Sequence, residues 1–141
     1  MNFNEQWIRW EPIPELENKY YIDSLIDTIE RFEILLVDTK TGYKKVRVVF
    51  EYGVDAYRCT GEQFRLKLIG RLNEKYGIDF YAKWTFFKVE NSFYFEWLSE
   101  ESDELSDPFF DGKALHFSFI TDDYVLDVIS FHEPKVEFIK D

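Results

Sequence analysis

Apolar and polar residues alternate with period two over several short stretches of the chain, and those stretches predict most of its strands. In YKKVRVVFEY, Val46, Val48 and Phe50 alternate directly after the turn cluster Asp38-Thr39-Lys40-Thr41-Gly42. This pattern predicts a hairpin with a strand at 32–38 on its other side. Near the carboxy end, His116, Ser118 and Ile120 fall on one face of a predicted strand at 114–121, with Phe117 and Phe119 on the other. A tight turn at Asp122-Asp123 leads to a second strand, 124–131, where Val125, Asp127 and Ile129 oppose Leu126, Val128 and Ser130. QWIRW at 6–10 reads as a short strand stopped by Pro12 and Pro14, and Pro134 confines a last segment, 136–139, to a sheet edge. The segments 19–27 and 80–89 are rich in β-branched and aromatic residues and read as further strands.

Two stretches break the alternation. Thr60-Gly61-Glu62-Gln63 has capping-box spacing and predicts a helix over 61–76, with Phe64, Leu68, Leu72 and Tyr76 four apart on one stripe and Gly77 as its C-cap. A second helix is predicted over 92–101, capped by Asn91 or Ser92. Its phase is double: Phe93, Phe95 and Trp97 alternate like a strand, while Phe93/Trp97 and Tyr94/Leu98 pair like a helix. The Glu and Ser residues after Leu98 favour the helix, and 103–112 reads as loop, with Pro108 and Gly112 as punctuation. The order β-β-β-α-β-α-β-β, with hairpins rather than βαβ units, predicts a single α+β domain over 1–141. It would be one mainly antiparallel sheet of about six strands, with two helices packed on one face.

Composition changes the picture mainly through charge. Through Lys88 the chain holds fourteen acids and fourteen bases, and from residue 89 onward fourteen acids against three bases, so the net −11 lies in the last third. Between Lys88 and Lys113 stand eight carboxylates and no base, interleaved with aromatic rings. Such a one-signed field repels nucleic acid and anionic lipid, so neither is an expected partner, and it steers association with a basic protein surface. Glu96, Glu100, Glu101, Asp103, Glu104, Asp107 and Asp111 are the expected steering acids, and Trp97, Phe109 and Phe110 the expected anchors. The competing reading puts the rings in the core and leaves a solvated acidic loop.

Candidate chemistry is sparse. His116 and His132 are the only histidines, and each stands without a signature around it. Cys59 precedes a predicted helix start, where a dipole could lower its pKa, yet no cysteine-hydrolase pattern surrounds it. No phosphate loop, zinc spacing or calcium loop occurs, so neither cofactor nor metal is expected. A single cysteine excludes an intramolecular disulfide, the first residues lack a secretory pattern and no apolar run would span a membrane. These features predict a reducing, cytoplasmic setting without membrane association. The resulting expectation is a non-enzymatic acidic binding protein. The alternative is a hydrolase or metal-assisted enzyme working with carboxylates and His116 or His132.

At Trp84-Thr85-Phe86-Phe87-Lys88-Val89-Glu90-Asn91-Ser92, and again from His116 through Asp127 to Glu133-Pro134-Lys135-Val136-Glu137, the chain resembles a group of small acidic bacterial proteins. Some of these look like immunity proteins, the cytoplasmic antidotes to secreted polymorphic toxins. The resemblance covers roughly the carboxy-terminal two thirds and carries no catalytic residue. What it implies is partner binding, with a toxin as the partner.

Overall fold

The structure is a computed structural model that describes residues 4–103 and 113–139. These form strands β1 (Gln6–Arg9), β2 (Tyr20–Asp27), β3 (Phe32–Asp38), β4 (Lys45–Phe50), β5 (Ala56–Gly61), β6 (Phe86–Glu90), β7 (Leu115–Ile120), β8 (Tyr124–Ser130) and β9 (Lys135–Ile139). Helix α1 (Leu66–Tyr76) lies between β5 and β6, and α2 (Phe93–Glu101) between β6 and β7. The strands make two antiparallel sheets, a five-stranded one in the order β1-β6-β7-β8-β5 and a four-stranded one in the order β2-β3-β4-β9.

The fold is therefore mainly β, and the expected single sheet of about six strands with helices on one face is wrong. The reason lies in how much apolar surface the strands carry. Phe117 and Phe119 on β7 and Leu126 and Val128 on β8 share one face with Phe86, and helices on the opposite face would leave it in water. The four-stranded sheet covers it instead, through Phe32, Ile34, Leu36, Val46, Val48 and Phe50, all buried in one cluster with these residues. Phe50 meets Phe117 edge to face at 5.5 Å between ring centroids, and Tyr20 meets Phe86 at the same distance. Such sheet-on-sheet packing makes the larger sheet a central layer.

The second face of that layer carries Phe87, Val89, His116, Ser118, Asp127 and Ile129. Helix α1 covers it through Leu68 and Leu72, beside Trp7 and Phe87, and α2 covers it through Tyr94 and Phe95, beside Ala114 and Ile129. Burial on both faces explains why β7 and β8 show almost no exposed position although their sequences alternate.

Three local differences follow from tertiary pairing. Residues 56–61, expected as a connection and then a helix start, are the edge strand β5, with Thr60 and Gly61 paired to Val125 and Tyr124. With Thr60 held in the ladder the capping box cannot form. The chain makes a 3-10 turn at Glu62–Phe64, leaves Phe64 exposed, and starts α1 only at Leu66, with Arg65 at an N-cap that has no side-chain bond. The helix ends as expected at Gly77, at φ 89°, whose N–H donates to the Asn73 carbonyl. Ser92 does cap α2, its Oγ accepting from the Phe95 N–H at 3.1 Å.

Candidate functional site

Asp127 sits in the middle of β8 between Leu126 and Val128, with no solvent contact. An unpaired carboxylate there would cost several kcal/mol of lost hydration, roughly, and would protonate instead. Three neighbours prevent this. His116 Nε2, from β7, lies 2.8 Å from Oδ1. Arg58 Nε, from the paired position on β5, and Arg65 Nη1, from the N-cap of α1, each donate to Oδ2 at 2.9 Å. Burial by itself would raise the carboxyl pKa. The His116 hydrogen bond and the positive charges around it, Arg58 and Arg65 among them, outweigh burial and hold the group well below the usual carboxylate range. The cluster ties three strands and a helix to one atom pair.

Aromatic rings seal the histidine. Trp7, Tyr94 and Phe95 pack edge-on against His116 at 6.4, 5.8 and 6.0 Å between ring centroids. With an ionised Asp127 accepting from Nε2–H, Nδ1 is the ring nitrogen left over. That nitrogen is buried with no hydrogen-bond partner, as is Ser118 Oγ on the same face. His116 thus has an orienting carboxylate, yet its other nitrogen is buried and has no nucleophile in hydrogen-bond contact among the described residues.

The other sequence candidates are scattered. Cys59 is exposed on β5, paired with Leu126 in the ladder and not at the start of α1. Partial burial, with the negative charge of Asp127, pushes its thiol up, the opposite of the lowering expected beside a helix start. His132 lies past the end of β8 and packs on Tyr52 at 4.8 Å, away from His116. Lys19 donates through Nζ to the carbonyls of Tyr81 at 2.7 Å and Trp84 at 3.0 Å, clamping the entry to β2 onto the segment before β6. Burial pushes its amine down to about 7, against the raising pull of Glu62 and Asp122. A depression of about 530 Å³ is lined by Gly61, Glu62, Gln63, Leu66, Asp123 and Tyr124, none of which belongs to the Asp127 cluster.

Of the predicted partner residues, α2 brings together Glu96, Trp97, Glu100 and Glu101, and Asp103 follows its end. Trp97 is 51% exposed, while Tyr94 and Phe95 dock the helix on the sheet. Glu100 and Glu101, three and four residues on, lie beside Trp97 on the exposed side of the helix. Glu96 is half-buried, and Asp103 is exposed at φ 54°. Glu104, Asp107, Phe109, Phe110 and Asp111 lie outside the described residues. Sequence reasoning singled out neither Arg58 nor Arg65. The available signal was Asp127 itself, because an acid flanked by Leu126 and Val128 in a closing strand requires a cation.

Among the described residues no group of three His, Cys, Asp or Glu side chains is placed to hold a metal ion. No described helix is long and apolar enough to cross a membrane. Compared with protein-family models, curated proteins and solved structures, the chain matches none.

Proposed function

We propose that this protein is a non-enzymatic binding module whose acidic carboxy-terminal third meets a basic surface on a protein partner. The observation that carries the reading is Trp97, a large ring half in water with Glu100 and Glu101 beside it on a helix anchored by two other rings. An exposed ring on a rigid element is the form that an interface anchor takes, and a rim of like charges raises the association rate. The resemblance to immunity proteins makes a toxin the partner class and a cytoplasmic inhibitor the role. Kinetics with the captured partner test this. Trp97→Ala is expected to accelerate dissociation, and changing Glu100, Glu101 and Asp103 together to Ser to slow association, most at low salt. Rates and salt slopes equal to the parent's would overturn it.

The His116–Asp127 pair favours the alternative, hydrolytic reading, since a base with its orienting acid is two thirds of a nucleophilic constellation. Its burial beneath Trp7, Tyr94 and Phe95 speaks against substrate access. A hydrolase screen that found turnover abolished in a folded His116→Asn variant would replace the binding reading.

A further inference from the structure

Arg58 and Arg65 converge on a single oxygen of Asp127, so two guanidinium groups lie side by side with one carboxylate between them. Each spends one nitrogen on that oxygen, and neither guanidinium makes another ion pair or hydrogen bond among the described residues. Two guanidinium charges face the one carboxylate of Asp127, which leaves positive charge in excess. That charge reaches solvent, the Arg58 side chain being 38% exposed and Arg65 16%. Arg58 is also held in place, its guanidinium carbon 4.1 Å from the centroid of the Tyr94 ring. Two further features meet here. Arg65 is the N-cap of an eleven-residue helix with no side-chain cap and no acid in its first turn. On the same sheet face the His116 Nδ1 and Ser118 Oγ atoms are buried and have no hydrogen-bond partner among the described residues.

We propose that the free edges of Arg58 and Arg65 form a binding site for a carboxylate anion, which Asp127 and Tyr94 pre-organise. A planar guanidinium edge matches a carboxylate with two parallel N–H···O bonds. The site works against a net charge of −11. Its advantage is local, because partly buried charges are screened less than exposed ones at physiological salt. Arg58 has already lost its side-chain freedom to the Tyr94 ring and Asp127, so binding a ligand costs little further ordering. The site borders the surface around Trp97, the Tyr94 ring that holds Arg58 lying 6.1 Å from the Trp97 ring, but the groups that would hold its ligand are the two arginines.

The test is a titration of the intact, 15N-labelled chain with sodium acetate, with sodium chloride and inorganic phosphate as parallel arms at equal ionic strength, reading the arginine Nε–H resonances. Acetate is expected to move those of Arg58 and Arg65 along saturating curves in the millimolar range, and to move those of Arg9, Arg31, Arg47 and Arg71 no more than chloride does. In Arg58→Lys, which keeps a cation against Asp127 but loses the planar fork, the Arg65 resonance should report acetate binding about tenfold weaker. Linear shifts identical in acetate and chloride would overturn the site, and tighter binding of phosphate would overturn the carboxylate assignment. Undiminished binding in folded Arg58→Lys would remove Arg58 from it. Should that variant fail to fold, the wild-type curves alone decide.

Discussion

On the outer face of the four-stranded sheet, Arg47 stands between Glu33 and Glu137, 3.5 and 3.2 Å from their carboxylates, and Arg31 approaches Glu33 at 3.7 Å, all with side chains that water reaches. In the five-stranded sheet Asp127 takes Arg58 and Arg65 at 2.9 Å and His116 at 2.8 Å with no exposure of its own. Both are cross-strand charge networks of Arg and acid. The first exchanges hydration for contacts of nearly equal value and is screened by salt, so it stabilises little. In the second, hydration of the acid is already lost, and each partner is what keeps a charge tolerable in the core. The energetic weight of a charge pair in this protein follows burial, and the number of partners matters less.

The sharpest way to break that comparison is to remove Asp127. Asp127→Asn leaves two arginines without their counter-charge and should cost about 3–5 kcal/mol. A urea midpoint close to the parent's would show that the cluster relaxes into water and behaves like the outer ladder. Leu68→Ala, beneath α1 on the same side of the sheet, sets an apolar scale at about 2–5 kcal/mol. An unchanged midpoint would contradict the burial of that helix face.

Acidity sharpens the contrast further. The folded-state pKa of Asp127 lies below its unfolded value near 3.8, so its stabilisation is fully present above that pH and is lost as pH falls below it. Denaturation midpoints of the parent should therefore drop steeply on acidification below about pH 4, and Asp127→Asn should flatten that limb. Lys19 acts at the opposite end. Its folded pKa of about 7 lies below the unfolded 10.5, so the unfolded chain binds the proton more tightly in between and stability should rise with pH across that window. Lys19→Met is expected to remove the rise, and a slope that survives would assign it to another group.

The smallest effect belongs to the outer ladder. Glu33→Gln, which touches both Arg31 and Arg47, should change stability by about 0–1 kcal/mol and less in high salt. A loss comparable to that of Asp127→Asn would dissolve the distinction between the two sheets.

Much of the local structure was readable because its causes are local. The alternation in 114–121 and 124–131 assigned His116 and Asp127 to their faces correctly, and Ser92 capped α2 as its side chain allows. Period and capping depend on neighbours within about four residues, and the chain displays those directly. The edge strand β5 escaped notice because Arg58, Cys59 and Thr60 have little apolar pattern of their own, and β8 supplies the ladder that makes them a strand.

By itself, then, the sequence determined the periods of most elements, the apolar stripe of α1 at Leu68 and Leu72, and the concentration of acid in the last third. How many sheets form was decided only in three dimensions. The alternation of β7 and β8 reads the same whether helices or a second sheet cover Phe117 and Phe119, and only the strand-to-strand contacts of Phe50 and Tyr20 choose between them. The same holds for the candidate site. Tyr94 and Phe95 are buried and Trp97 is exposed because of the angle at which α2 docks, and Asp127 is ionised because β5 and the start of α1 bring arginines to it. Docking angle and long-range pairing depend on residues about 60 positions apart in the chain, and no window of local pattern contains them.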